Sequence, residues 1–117
     1  MKDAIYHNPR CSKSRQTLAL LQARGLDLPV IEYLADPPGV DELAAICTAL
    51  GKRPLELIRR KEALFAELGL SVTDERSDAD WLQLMVANPK LIERPIVVYR
   101  GRAALGRPPE DVLTLFG

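Results

Sequence analysis

The chain has 117 residues, 47% hydrophobic and 27% charged, with 16 basic residues set against 16 acidic ones. That length fits one domain with a single core, and the charge balance offers neither a basic surface for nucleic acid nor a like-charged tail. No stretch approaches the roughly 18 apolar residues that read as a membrane span, and the polar start lacks a signal-peptide core, so two cysteines point to a reducing, cytoplasmic setting rather than a structural disulfide.

Ala4-Ile5-Tyr6 reads as a first strand, and a Pro-containing turn leads into a helix from Ser12 to Arg24, stopped near Gly25. Thr17, Leu18, Leu20 and Leu21 give that helix its apolar residues. Pro29 to Tyr33, with β-branched Val30 and Ile31, reads as a second strand. After the breaker Pro37-Pro38-Gly39, Leu43, Ile46, Cys47 and Leu50 fall at i, i+3, i+4 and i+7, the stripe of an amphipathic helix. Gly51 closes it. Two short helical pieces follow, Pro54 to Ile58 and Lys61 to Leu68. Ser77-Asp78-Ala79-Asp80 reads as a capping box opening a helix through Ala87, with Trp81, Leu84 and Met85 on its apolar face. Pro95 to Tyr99 is the most apolar strand. Arg100-Gly101-Arg102 reads as a hairpin turn, Ala103 to Gly106 as the returning strand, and Glu110 to Phe116 as a last short helix.

The early strand-helix-strand order implies a parallel pair with a right-handed crossover. Adding the later hairpin gives a mixed four-stranded sheet. The expected fold is a single α/β domain over 1–117 with a helical segment inserted at about 40–88.

The chemistry concentrates in His7-Asn8-Pro9-Arg10-Cys11-Ser12-Lys13-Ser14-Arg15. Cys11 stands just before the first turn of a helix. There, unpaired amide donors and the positive end of the dipole favour an anion, and a thiol's usual pKa of about 8.5 falls. Arg10, Lys13 and Arg15 add positive charge. Cysteine is also a common buried hydrophobe, but a polar turn argues for reactivity here. A dithiol redox site would need a second cysteine at position 14. Ser14 stands there, so Cys11 reads as a lone nucleophile resolved by an outside thiol. A phosphatase-type anion loop would need arginine at position 17, which is Thr17. Cys47 lies on a packing stripe and reads as inert. His7, the one histidine, reads equally as a hydrogen-bonded turn residue or as a partner of the thiolate. One histidine and two cysteines, one of them on a packing stripe, make a metal site implausible. Arg59, Arg94 and Arg107 stand out by position, and guanidinium forks suit tetrahedral oxyanions.

The string H-N-P-x-C-x-x-S-R, the phrase Glu93-Arg94-Pro95-Ile96-Val97-Val98 and the later Gly106-Arg107-Pro108 together resemble the glutaredoxin-coupled arsenate reductase family over essentially the whole chain. The resemblance implies a thioredoxin-like (glutaredoxin-like) fold with an added helical region. It implies Cys11 as nucleophile, His7 as the residue that helps keep it ionised, and Arg59, Arg94 and Arg107 as the oxyanion ligands, with Arg60 the alternative for the first. It matches Pro95 to a cis-proline beside the thiol, and Asn8, Ser14 and Arg15 to supporting positions of the motif. The implied reaction is reduction of arsenate or a similar oxyanion, with glutathione as co-substrate, glutaredoxin as partner and no tightly bound cofactor. Two other readings use the same motif: a glutathione-dependent thiol oxidoreductase acting on another substrate, and a non-enzymatic regulator similar to the Spx proteins that bind RNA polymerase. Ser14 and the three arginines weigh against the second.

Overall fold

The computed structural model describes residues 1–116. Four strands, β1 (Ala4–His7), β2 (Val30–Glu32), β3 (Ile96–Tyr99) and β4 (Arg102–Leu105), form one sheet in the order β2-β1-β3-β4. The β1–β2 pair is parallel and is joined through helix α1 (Ser12–Ala23). β3 runs antiparallel to both β1 and β4. Helices α2 (Val40–Leu50), α3 (Pro54–Leu57), α4 (Ala63–Glu67) and α5 (Asp78–Ala87) all lie between β2 and β3 in the chain. The sheet is therefore mixed and four-stranded, as the element order implies.

Alternation along the strands assigns each side chain to a layer, because successive residues point to opposite faces. Ile5 pairs with Val97, and both enter a small core with Leu21 of α1 and with Val112 and Leu115 near the C-terminus. Ala4, Tyr6, Ile96 and Val98 point the other way, into the larger core with α2 and α5. There Leu43, Ile46 and Met85 are completely buried and Trp81 nearly so. Each such side chain contributes roughly 1.5–3 kcal/mol by leaving water.

Several boundaries differ from the sequence reading, each for a local reason. On α5, Leu82 is buried while Leu84 is only partly so, so the buried face is Trp81, Leu82 and Met85. Ser77 does cap this helix, its Oγ accepting from the Asp80 amide at 3.1 Å. The hairpin turn is two residues, not three. Arg100 (φ 49°) and Gly101 (φ 76°) both take the positive φ that such a turn requires, which leaves Arg102 free to pair with Tyr99. An Asp3 Oδ1 acceptor 2.8 Å from the Arg100 amide holds the non-glycine half of this turn. The last helix is a 3₁₀ segment, Pro109–Leu115. Among the described residues no helix is long and apolar enough to cross a membrane.

Candidate active site

The loop between β1 and α1 is held by its own polar groups. The Asn8 amide donates to Ser14 Oγ at 3.0 Å inside the protein, and Asn8 Oδ1 accepts from the Arg10 amide at 3.0 Å. The Asn8 carbonyl accepts from the Cys11 amide, and the Arg15 guanidinium donates to the Pro9 carbonyl. Cys11 is thereby fixed as the N-cap of α1 in extended backbone (φ −94°, ψ 124°), with no side-chain capping bond of its own. Ser14 is completely buried and occupied by this loop. Neither cysteine is in a disulfide.

Burial pushes the Cys11 thiol up, but the opposing influences win and hold it below the ordinary thiol value. The Arg94 guanidinium is the leading one, and the backbone N–H groups of Ser14 and Lys13 in the first turn of α1 add to it. The dipole argument made for the loop sequence is thus half of the account; the other half is an arginine distant in sequence. His7 is 6% exposed, and its burial and nearby Arg15 outweigh the pull of Glu32, so the imidazole is also held below its usual value. The groups that lower the Cys11 thiol are Arg94 and the Ser14 and Lys13 amides.

Main-chain pairing brings together the three segments that carry Arg59, Arg94 and Arg107. Tyr6, one residue before the end of β1, pairs with Ile96 at the start of β3. The residues after Tyr6 and those before Ile96 therefore meet at one edge, which sets Arg94 beside the Cys11 loop. Ile96 pairs with Leu105, and the Gly106 amide donates to the Pro95 carbonyl at 3.0 Å. Arg107 then lies over this segment, its Nε donating to the Arg94 carbonyl at 2.8 Å. Ile58 bridges Ile92, the Arg59 amide donates to the Leu91 carbonyl, and the Glu93 amide donates to the Leu57 carbonyl. These bonds bring Arg59 next to Glu93. The Arg94–Pro95 and Arg107–Pro108 bonds are both cis; the first is at the proline singled out in the sequence, and nothing local marks the second.

Glu93 ties two of the arginines together. Its Oε2 lies 3.1 Å from Arg107 Nε and its Oε1 lies 4.0 Å from Arg59 Nε, while Arg59 also pairs with Glu62 at 2.9 Å. Arg59 is partly buried in this network and Arg60 is exposed. Both line a cleft of about 630 Å³ together with Lys61, Glu62, Glu93 and Arg107. Cys11 and Arg94 do not line that cleft; the link runs through the backbone of residues 93 and 94.

Three side-chain atoms are buried without a hydrogen-bond partner among the described residues: His7 Nδ1, Tyr33 Oη and Arg94 Nε. Tyr33 is 1% exposed, and burial raises its hydroxyl against the pull of Arg94. Asn8 and the Cys11 sulfur also act on it. Leaving buried polar atoms unpaired is costly, and all three flank the Cys11 loop. Tyr33 and Glu93 were not legible as site residues; one closes a β-rich run and the other merely precedes an arginine. No group of three or more His, Cys, Asp or Glu suited to a metal ion occurs among the described residues.

Burial raises the Cys47 thiol to about 11, with Asp78 adding to the effect. Because only thiolates alkylate, iodoacetamide at neutral pH is expected to modify Cys11 and spare Cys47 in the folded protein. The pH–rate profile should rise at a lower pH than for a free thiol, the direction set by a lowered pKa. Peptide mapping by mass spectrometry checks this; equal labelling of both sites would contradict it.

The fold and site define a class: a thioredoxin-like domain with a single cysteine at a helix N-terminus and no second cysteine in its motif. Within that class, residues 6–115 match the model of the ArsC family, and the chain belongs to that family. It is 49% identical to an uncharacterized protein of Escherichia coli K12, over 97% of this chain and 95% of that one. It is 45% identical to a protein of Neisseria meningitidis Z2491 named arsenate reductase, over 92% of each. A solved structure named arsenate reductase, from Vibrio cholerae, superposes with a TM-score of 0.89 at 46% identity, covering 98% of this chain and 99% of that one.

Proposed function

We infer that the protein is an arsenate reductase in which Cys11 is the nucleophile and outside thiols complete the reaction. The observation that carries this reading is Arg94 acting on the Cys11 sulfur at the N-terminus of α1. One group there favours the thiolate and can also hold an oxyanion brought to it. Curated relatives named arsenate reductase, at 44–45% identity over nearly the whole chain, support the choice of arsenate.

In the proposed sequence, arsenate enters with its oxygens toward Arg94, Arg59 and Arg107. The Cys11 thiolate attacks arsenic, a sulfur–arsenic bond forms and one protonated oxygen leaves as water. Charge on the remaining oxygens is neutralised by the guanidinium groups. A glutathione thiolate then attacks Cys11 Sγ. The sulfur–arsenic bond breaks with its electron pair going to arsenic, which falls from the pentavalent to the trivalent state and leaves as arsenite. Cys11 is now a mixed disulfide with glutathione. A glutaredoxin thiolate attacks the glutathione sulfur and releases the Cys11 thiolate for the next cycle. The fully buried Ser14, engaged with the Asn8 amide, supports this dependence on outside thiols. Asn8, Arg15 and Pro95 are proposed to shape the loop, with His7 at its start.

The test is arsenate-dependent NADPH oxidation in the presence of glutathione, glutathione reductase and glutaredoxin. Cys11→Ser is expected to lower kcat by about 10³-fold or more, because the hydroxyl cannot form the adduct or the mixed disulfide. Turnover persisting in that variant would sink the reading.

A further inference from the structure

The cationic cleft contains its own anion. Glu93 is partly buried, with its two carboxylate oxygens directed to different guanidinium groups: Oε2 at 3.1 Å from Arg107 Nε and Oε1 at 4.0 Å from Arg59 Nε. Its backbone position is fixed by the hydrogen bond from its amide to the Leu57 carbonyl. The Nε of Arg107 donates to the Arg94 carbonyl and forms an ion pair with this carboxylate. Arg59 is likewise already engaged by Glu62 at 2.9 Å. In the free protein, then, two of the three arginines proposed to receive an oxyanion have carboxylate partners. Arg94 has no carboxylate partner among the described residues, and its Nε is buried without a hydrogen bond. The three arginines are not equivalent: one acts on the thiol and two are engaged by carboxylates.

We propose that Glu93 is the resident anion of the site, a carboxylate that occupies Arg59 and Arg107 until a tetrahedral oxyanion displaces it, and so sets the threshold of oxyanion affinity. The proposal rests on the oxyanion-reduction reading and deepens it by naming the residue that opposes substrate entry. A doubly charged tetrahedral oxyanion can bridge both guanidinium groups. A singly charged carboxylate ligand competes with Glu93 on equal terms. Glu93 therefore favours arsenate-like dianions over carboxylates and chloride, and does so by competition rather than by contact with substrate.

Glu93→Gln keeps the shape of the side chain and removes its charge. The probe is inorganic phosphate, a tetrahedral oxyanion that cannot be reduced, titrated calorimetrically into the reduced full chain. Loss of a partly exposed ion-pair competitor predicts phosphate binding tighter by about three- to tenfold in Glu93→Gln. The arsenate KM should fall by a similar factor while kcat changes by less than about twofold. Discrimination between phosphate and acetate should narrow in the variant. In the wild type, phosphate should shift the Nε–Hε resonances of both Arg59 and Arg107, a measurement that needs no variant to fold. Unchanged or weaker phosphate binding in Glu93→Gln overturns the proposal, as does a wild-type titration that moves neither arginine. These results are separable from failure of the parent reading: phosphate binding and arsenate turnover with no gain in Glu93→Gln defeats only the resident anion. Absence of arsenate turnover in the wild type defeats the reductase reading itself.

Discussion

Replacing Arg94 with methionine is expected to lower kcat/KM for arsenate by about 10²–10³-fold, the usual cost of removing a charged group aimed at developing negative charge. The effect has two sources. Arg94 is the leading group that brings the Cys11 thiol below its ordinary value against the opposing effect of burial. Without it, burial dominates and the thiolate fraction at neutral pH falls. Arg94 also has a buried Nε with no hydrogen-bond partner among the described residues, and its loss removes a guanidinium that acts on the reacting sulfur. Alkylation of Cys11 by iodoacetamide reads the first effect alone, and the pH midpoint of that reaction should rise. Arg94→Lys separates the two. It keeps a charge near the thiol but not the planar fork that holds two oxygens at once. It should restore alkylation more fully than arsenate turnover. Full turnover in Arg94→Met would show that the thiol is activated by something else.

The second large effect concerns Gly106. A Cβ built at this position would overlap Thr17 Oγ1, and would lie 2.7 Å from Pro95 Cγ and 3.2 Å from Thr17 Cγ2. Thr17 is completely buried, its hydroxyl donating to the Lys13 carbonyl at 2.8 Å. Pro95 is fixed in turn, because its carbonyl accepts from the Gly106 amide. Neither neighbour is a flexible chain end that can swing aside. Gly106→Ala is therefore expected to cost about 1–3 kcal/mol, the range for overpacking a close-packed interior. Thermal unfolding should show Tm lower by several degrees. The damage should reach activity as well, since the same contact joins α1, which presents Cys11, to the segment that carries Arg94 and Arg107. Gly39 is a fair control: nothing lies within 4 Å of an added Cβ there, and its φ is not positive. If Gly106→Ala melts with the wild type, the packing account of this junction is wrong.

Much of this architecture was legible because its signals are local. Cys11 before Ser12, the stripe of Leu43, Ile46 and Cys47, and the Ser77 cap each declare themselves within a few residues, and each is found in the structure. Boundaries shifted where tertiary contact decides. Leu82 rather than Leu84 is buried because α5 packs against both α2 and α3, which a short apolar run does not reveal. The Arg100–Gly101 turn tightened because Arg102 gains a ladder partner in Tyr99.

The site was less legible, and the reason is physical. In the sequence Thr17 reads as one of the packing residues of its helix and as the absence of a phosphatase arginine. In the structure it is a packing residue under Gly106, where an arginine would have no room. Position alone could mark Arg59, Arg94 and Arg107 as candidates, but the approach of the segments that carry them depends on three main-chain contacts. These are the Tyr6–Ile96 pair, the Gly106–Pro95 bond and the Ile58–Ile92 bridge. None of the three has a sequence signature. Glu93 escaped notice for a different reason. Its importance lies in charge competition between two groups brought together by folding, and an acidic residue next to an arginine is ordinary in any sequence.

The central claim is that a Cys11 thiolate meets an oxyanion held by these arginines. The most direct test is a crystal of the reduced protein soaked in arsenate. The account predicts arsenic bonded to Cys11 Sγ, its oxygens within hydrogen-bonding distance of Arg94, and Arg59 and Arg107 turned toward it. Arsenate bound elsewhere, with the Cys11 sulfur free and Arg94 directed away from it, would contradict the claim.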